Sequence, residues 1–150
     1  TKPLGTAGSL TLIEKFDNDN ILLINSDIFT NINFEEMFLS LISSKADMII
    51  ASSDYKIDVP LAIFEEKDNI ITDFKEKPSY TYYSNAGIYM FNKKIIKKIP
   101  KNQFFDITDL MNIILVEKGK LIHSPIRGYW IDIGTPTDYL RAQEIVNYIN

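Results

Sequence analysis

A chain of 150 residues, 45% hydrophobic and 24% charged, has the size and composition of one soluble globular domain with a continuous core. The absence of cysteine excludes disulfides, thiolate metal sites and cysteine nucleophiles, and it makes the cytoplasm the default location. The net charge of -4 argues against a broad nucleic-acid-binding face, and the apolar stretches are too short to span a membrane.

The first third of the chain is predicted to form a strand, helix, strand crossover after a short entry helix. Apolar residues at helical spacing predict that entry helix, and the apolar run after it predicts a strand buried on both faces of a parallel sheet. Asn33 and Glu36 form the capping-box pattern that opens the next helix. The predicted elements are helix 6–16, strand 21–25, a helix from 33 to about 45, and strand 46–52.

The rest of the chain is predicted to be richer in β-structure and to end in a helix. Lys67-Asp68-Asn69 is predicted to be the loop of a β-hairpin. Pro100 is predicted to stop a Lys-rich helix, and Gly119 is predicted to cap the C-terminal end of helix 105–118. Thr135-Pro136-Thr137-Asp138 has the residue types that open a helix. The predicted elements are hairpin strands 61–66 and 70–76, strand 85–91, helices 93–99 and 105–118, strands 121–126 and 128–133, and a helix from 136 to the C-terminus.

No repeat, low-complexity tract or linker divides the sequence, so residues 1–150 are predicted to belong to a single domain. A parallel βαβ start combined with a β-rich insertion predicts an α/β fold with a mixed, mostly parallel sheet. The chain opens with Thr1-Lys2-Pro3 rather than a methionine, and we therefore expect it to be a piece of a longer protein.

Two carboxylates stand where ligand sites of α/β sheets lie. Asp27 ends the apolar run Leu22-Leu23-Ile24-Asn25-Ser26, and Asp132 ends an aromatic and aliphatic strand just before a capped helix. Ligand crevices form at such strand ends, and two acids there indicate a metal ion. For either aspartate alone, a helix cap or a turn residue is the alternative interpretation.

Pro3-Leu4-Gly5-Thr6-Ala7-Gly8 places two glycines and a hydroxyl at the entry to a helix. Backbone N–H groups are free at a helix entry, so a flat or anionic ligand could approach closely there. An ordinary helix start is the alternative, because short glycine patterns are weak evidence taken alone.

Together with four further motifs in the same order, this segment resembles the sugar-1-phosphate nucleotidyltransferase family. The matching motifs are Asn25-Ser26-Asp27, Glu76-Lys77-Pro78, Asn85-Ala86-Gly87-Ile88-Tyr89 and Trp130-Ile131-Asp132-Ile133-Gly134-Thr135-Pro136. The five motifs cover nearly all of the chain. The resemblance implies a Rossmann-like nucleotide-diphospho-sugar transferase fold with a β-rich sugar-binding insertion, and a reaction of a nucleoside triphosphate with a sugar 1-phosphate.

The resemblance also implies a role for each matching residue. Asp27 and Asp132 would bind Mg²⁺ and, with Lys77, form the catalytic set. The nucleotide would be bound by Leu4, Gly5, Thr6 and Ser26, and the sugar phosphate by Ala62, Glu76, Lys77, Asn85 and Gly87. The alternatives are surface charges for Glu76 and Lys77 and an ordinary β-strand for Asn85 and Gly87.

Two of these motifs carry structural expectations. Lys77 precedes a proline, which should hold its backbone extended while the ammonium group reaches a phosphate. Trp130 is expected to pack beneath the metal segment, with the lining of a sugar pocket as the alternative.

The sequence departs from the family pattern in three places. The family's N-terminal glycine-rich loop with its arginine is absent, as are the first strands of the sheet, so we expect an exposed apolar sheet edge and no turnover by the fragment alone. Ala62 replaces a glycine that lies beside the sugar, which leaves the sugar open. Ser26 replaces the glycine before Asp27, which is a milder change.

The preferred reaction is guanylyl transfer from GTP, which would supply an activated sugar for surface polysaccharide. One alternative is uridylyl or thymidylyl transfer. The other is a catalytically silent relative that binds nucleotide sugars for regulation. A glycosyltransferase would need an acidic triplet at a strand end, whereas Asp17-Asn18-Asp19 precedes the strand and is predicted to be a solvated loop. His123 is predicted to be structural. The expected partners are a nucleoside triphosphate and a sugar 1-phosphate, without nucleic acid or membrane; a homo-oligomer is left open.

Overall fold

The computed structural model describes residues 2–149. Its strands are β1 (Asn20–Ile24), β2 (Ile28–Thr30), β3 (Met48–Asp58), β4 (Ile63–Lys67), β5 (Ile70–Lys75), β6 (Ser79–Asn92), β7 (Leu121–Pro125) and β8 (Trp130–Asp132). Its α-helices are α1 (Gly5–Gly8), α2 (Phe34–Ser44), α3 (Ile107–Val116) and α4 (Pro136–Ile149), and 3₁₀ segments cover Ser9–Leu12 and Lys93–Lys98. The predicted extension of the last helix to the C-terminus falls on Asn150, outside the described residues.

The central sheet has four strands in the order β1-β6-β3-β7. β6 runs antiparallel to both of its neighbours, whereas β3 and β7 are parallel. It follows that β1, β3 and β7 run in one direction and β6 in the other. The predicted α/β fold with a mixed sheet is confirmed, but only the β3–β7 pairing is parallel, and β1 and β3 do not pair directly because β6 lies between them.

β1 is an edge strand in the described part of the chain, and this corrects its predicted burial. Leu22 and Ile24 are 44% and 40% exposed, whereas Leu23 packs against the core. The reason is that α2 packs on β3 and β6 and leaves this side of β1 uncovered. An apolar edge of the kind expected from the sequence is therefore present on β1.

Two apolar clusters lie on opposite faces of the sheet and define three layers. On one face, Phe91 and Met48 pack against Leu110 of α3. On the other, Ile49 and Ile88 pack against α2 residues. Alternation along β3 and β6 sends successive side chains to the two faces, so strands buried on both sides read as continuous apolar runs.

Local capping explains where the helices begin and end. The Asn33 side chain accepts a hydrogen bond from the backbone N–H of Glu36 at 3.1 Å, as predicted. At the end of α3, Lys118 rather than Gly119 takes the left-handed conformation, with φ of 60°. Gly119 follows it and donates to the Ile114 carbonyl at 2.8 Å; a Cβ there would lie 2.7 Å from the Ile114 side chain. The glycine is therefore required for space rather than for its φ.

The entry helix is shorter than predicted. α1 and the following 3₁₀ segment end at Leu12, and Ile13 is already extended. A short helix is marginal unless tertiary contacts stabilise it. Phe16 still packs against the core, but from a loop, so the apolar spacing that predicted helix 6–16 reflects burial of scattered side chains.

β3 and β6 continue beyond the sheet as a two-stranded ribbon. Their pairing runs from Ser53 opposite Ser84 to Asp58 opposite Ser79, and the β4–β5 hairpin follows at the far end. Residues 53–84 are called the arm below. The predicted hairpin is confirmed, with Asp68 and Asn69 both at positive φ, as a type I′ turn requires.

Core and arm should respond differently to loss of a phenylalanine. Phe91→Ala empties a site with no exposed surface and should lower the free energy of unfolding by about 3–5 kcal/mol. Phe74→Ala on the arm, where the ring is 61% exposed, should cost less than about 1 kcal/mol. Urea unfolding followed by circular dichroism measures both. Equal losses would show that the arm is part of the core.

Candidate functional site

The strand-end acids Asp27 and Asp132 are brought together by the β2–β8 pair. After β1, a turn at Ser26 and Asp27 leads into β2, and β2 pairs antiparallel with β8. Ile28 lies opposite Asp132, and the Ile133 N–H donates to the Asp27 carbonyl at 2.7 Å. Asp27 and Asp132 are thus diagonal neighbours, one residue out of register on the two strands, and both are exposed.

The donor set fits a hard divalent cation that keeps other ligands. Within residues 2–149 neither carboxylate takes part in an ion pair, and no three potential metal-binding side chains cluster. Two carboxylates without a third protein ligand suit Mg²⁺, which keeps several waters and binds phosphate oxygens. They would not form the closed four-ligand cage of a structural zinc site.

β6 bulges beside this pair of acids. Between Ile50 opposite Tyr89 and Ser52 opposite Asn85, a single residue of β3 faces three residues of β6. Those three residues, 86–88, are called the Gly87 bulge below. Bulges of this kind redirect a strand and are frequent beside active sites.

Gly87 joins the bulge to the end of β1. Its φ is +73°, and a Cβ there would lie 2.6 Å from Ile28 Cδ1 and 2.8 Å from Asn25 Nδ2. The Asn25 N–H donates to the Gly87 carbonyl at 2.9 Å. Only glycine combines this conformation with this contact. The predicted sugar-facing strand and the predicted metal turn therefore meet at Gly87.

The Asn85 side chain is engaged within the protein. Its Oδ1 accepts a hydrogen bond from the Gly87 N–H at 3.0 Å. Burial raises the pKa of Tyr89, and the nearby Asn85 side chain acts in the opposite direction. Asn85 thus stabilises the bulge, and the sugar contact assigned to it stays a prediction.

The N-terminal segment lies against the start of α3, which corrects the expectation of free backbone donors. The Ala7 and Gly8 N–H groups donate to the Phe105 carbonyl at 3.1 and 2.8 Å. The Thr6 N–H donates to the Asp106 carboxylate at 3.3 Å. These donors are already used, so an anion could not bind them without displacing α3.

Gly5 and Leu4 belong to the same contact. The Leu4 carbonyl accepts from the Phe105 N–H at 2.9 Å. Gly5 has φ of +73°, and a Cβ would lie 2.7 Å from the Phe105 carbonyl oxygen. This close approach explains why a glycine is needed at position 5. The nucleotide-binding roles of Leu4, Gly5, Thr6 and Ser26 stay predictions.

Lys77 does not have the extended backbone that was predicted. Its φ is +44°, in the left-handed region, because the chain reverses there between β5 and β6. The Pro78 carbonyl then accepts from the Val59 N–H at 3.0 Å and closes the base of the hairpin. Steric exclusion before proline disfavours the right-handed helical region and does not forbid this turn.

The other predicted sugar-phosphate residues of the arm also lie away from the acids. Glu76 and Lys77 precede Ser79, and Ala62 precedes β4. From Asn85 to Ser79 the ladder is continuous over six residues, which corresponds to roughly 20 Å of strand. The structure therefore brings together the backbones of Asp27, Asp132, Asn85 and Gly87, and places Ala62, Glu76 and Lys77 where the β3–β6 ribbon meets the β4–β5 hairpin.

Sequence reasoning missed two contacts beside the site. The Trp130 Nε1–H donates to the Ala86 carbonyl at 2.9 Å, and the ring packs against the cluster under α2. The Ser52 hydroxyl lies 2.9 Å from His123 Nδ1. In each case the partners are far apart in the chain and no sequence pattern connects them. The predicted packing role of Trp130 is consistent with its contacts.

Comparison with known proteins identifies the family of this chain. The family model described as nucleotidyl transferase matches residues 1–148. The chain belongs to the nucleotidyl transferase family. Its relatives include the mannose-1-phosphate guanyltransferase of Debaryomyces hansenii, which is 34% identical over 151 aligned positions covering 93% of this chain and 40% of that protein.

Solved structures share the fold of this nucleotidyl transferase chain. A putative glucose-1-phosphate thymidylyltransferase from Bacillus anthracis superposes with a TM-score of 0.70 at 24% identity, over 100% of this chain and 64% of that one. HddC from Yersinia pseudotuberculosis complexed with GMP-PN gives 0.61 at 22% identity, over 97% and 64%. The chain spans about two fifths of the Debaryomyces hansenii guanyltransferase.

None of the helices in residues 2–149 has the length and apolarity to span a membrane.

The Gly87 bulge can be tested by adding one methyl group. Gly87→Ala must adopt a left-handed conformation and press on Ile28 and Asn25, so it should lower the free energy of unfolding by about 1–3 kcal/mol. Gly134→Ala is the matched control, because no atom lies within 4 Å of its added Cβ. Urea denaturation compares the two. If both variants unfold alike, Gly87 does not hold the site together.

Proposed function

We propose that the protein carrying these 150 residues is a sugar-1-phosphate nucleotidyltransferase. It joins a nucleoside triphosphate to a sugar 1-phosphate and gives a nucleotide sugar and pyrophosphate. Family membership supports the reaction class. The observation that carries the assignment is the meeting of Asp27, Asp132 and the Gly87 bulge at one end of the sheet.

The reaction requires positioning and charge stabilisation more than covalent chemistry by the protein. A phosphate oxygen of the sugar 1-phosphate attacks the α-phosphorus; the bond to the bridging oxygen breaks, and pyrophosphate leaves with that electron pair. Mg²⁺ would be held by Asp27 and Asp132 and would supply charge stabilisation for the triphosphate. The β2–β8 ladder fixes the backbones of Asp27 and Asp132 one residue out of register on neighbouring strands, which would limit their reorganisation when charge develops.

The sugar is proposed to lie against the Gly87 bulge. The missing side chain lets a hydroxyl-bearing ring approach the backbone closely, and Asn85 is an exposed amide on the same strand. Lys77, Glu76 and Ala62 reach that sugar only if the arm bends toward the acids. Both strands of the β4–β5 hairpin are exposed along their length, and an isolated two-stranded hairpin is marginal in water, so movement of this hairpin toward the acids is part of the proposal.

Guanylyl transfer is the proposed specificity. The Debaryomyces hansenii relative is named as a guanyltransferase, and the HddC structure holds GMP-PN. Leu4, Gly5, Thr6 and Ser26 are proposed to contact the nucleotide; we also propose a cytoplasmic enzyme whose product supplies surface polysaccharide. Thymidylyl transfer is the alternative within the family, since the Bacillus anthracis structure carries that name.

A nucleotide-sugar-binding protein without turnover is the second candidate. Occupied N–H groups at Thr6, Ala7 and Gly8 favour it, because they leave fewer donors for a triphosphate. The free carboxylates of Asp27 and Asp132 favour catalysis. Pyrophosphate release from each nucleoside triphosphate, measured across a panel of sugar 1-phosphates with Mg²⁺ and with chelator, distinguishes the two.

The acid pair gives the first functional prediction. Asp27→Asn and Asp132→Asn should each lower Mg²⁺-dependent pyrophosphate release by about 100-fold or more, because each removes charge at the metal. Both side chains are exposed, so the melting temperature should stay close to that of the unaltered protein. Asp54→Asn, an exposed aspartate on the arm, is the control and should keep activity. Undiminished release in both site variants would exclude the metal role.

Lys77 on the arm gives the second functional prediction. Lys77→Ala should lower kcat/KM for the sugar 1-phosphate by roughly 10- to 100-fold, chiefly through KM, because a charge-assisted phosphate contact is lost. Lys67→Ala, at the tip of the same arm, should change neither constant. Initial rates at varied sugar 1-phosphate measure both. Equal kinetics for the two variants would mean that the arm does not close on the substrate.

A further inference from the structure

Trp130 links the strand that carries Asp132 to the Gly87 bulge. β2 and β8 pair with each other and form a sheet separate from the four-stranded one in the described residues. Their position relative to the bulge must therefore be set by side chains and by the turn after β1. The Trp130 indole donates to Ala86 at 2.9 Å, within the bulge itself.

The bulge creates the acceptor that Trp130 uses. The irregular pairing at residues 86–88 interrupts the ladder with β3, so backbone groups there lack regular strand partners. Ala86 is fully buried, and a buried carbonyl without a partner is costly. The indole N–H supplies that partner, while the partly buried ring packs against the cluster under α2.

The alternation of β8 carries this contact to Asp132. Residues two apart in a strand share a face, so Trp130 and Asp132 point to the same side and Ile131 to the other. Ile28 lies opposite Asp132. Its Cδ1 lies 2.6 Å from the position that a Cβ on Gly87 would occupy. Trp130 and Ile28 thus hold the face of the β2–β8 pair that carries Asp132 against the bulge.

We propose that Trp130 is a positioning residue for the metal site, through its hydrogen bond to Ala86. The bond fixes how far β8 stands from the bulge and therefore where the Asp132 carboxylate lies relative to Asp27 and to the sugar. This inference rests on the proposed nucleotidyl transfer. Trp130 itself touches neither the metal nor the reacting phosphates.

Trp130 is the only tryptophan in the chain, which gives a direct readout without turnover. In a ¹⁵N-labelled sample the single indole N–H resonance should exchange with solvent about tenfold or more slowly than that of free tryptophan. Addition of Mg²⁺ with nucleoside triphosphate should shift this resonance, and Asp132→Asn should abolish the shift while leaving the slow exchange. Exchange as fast as in free tryptophan would overturn the proposal.

The second measurement is enzyme kinetics with the protein that carries these residues. Trp130→Phe keeps an aromatic ring and removes the donor, so the Mg²⁺ concentration for half-maximal pyrophosphate release should rise roughly 3- to 10-fold. At saturating Mg²⁺ kcat should change less than about twofold, because the metal ligands remain. Tyr129→Phe keeps the stacking on Phe29 and should leave the Mg²⁺ requirement unchanged.

The outcomes separate this inference from the proposed function. A purely structural tryptophan would lower the melting temperature and leave the Mg²⁺ requirement as it was, which would overturn the positioning role. Absence of Mg²⁺-dependent pyrophosphate release from the unaltered protein would instead refute the proposed function. A raised Mg²⁺ requirement in Trp130→Phe, with Tyr129→Phe unchanged, supports the proposal.

Discussion

The left-handed conformation of Gly87 is the constraint on which the site depends. It lets β6 depart from regular pairing, and the departure brings three otherwise separate elements to one point. Asn25 at the end of β1 bonds to the glycine carbonyl, Ile28 of β2 approaches its Cα, and Trp130 of β8 bonds to the preceding carbonyl. A Cβ at this position would press on Asn25 and Ile28, so close packing of β1 and β2 on the bulge depends on the glycine.

Local patterns predicted the parts of this arrangement that local physics decides. Asn33 and the Thr135 to Asp138 turn open helices where expected, because capping bonds join residues three apart. The strand-end positions of Asp27 and Asp132 followed from apolar runs stopped by polar residues. The insertion of β6 between β1 and β3 could not be predicted, since it depends on pairings between distant segments that leave no periodic trace in either one.

The N-terminal segment shows why a motif can be located correctly and still be misread. Glycines beside a helix start indicate close approach of a backbone, but the sequence does not say by what. In the structure the approaching group is the protein's own Phe105 carbonyl, and α1 is held against α3 by it. Glycine patterns therefore predict proximity better than they predict ligands, because a carbonyl of the same chain and a phosphate oxygen accept the same N–H donors.

The arm raises the question of why a chain would place Lys77 so far from the acids. A cation held permanently beside two carboxylates would form an ion pair with them, which would neutralise the charge needed for a metal. Separation along the ribbon avoids this, and within residues 2–149 neither Asp27 nor Asp132 forms an ion pair. The left-handed turn at Lys77 lies just before β6, outside the paired ladder. The geometry that separates Lys77 from the acids thus leaves both carboxylates available for the cation that we propose.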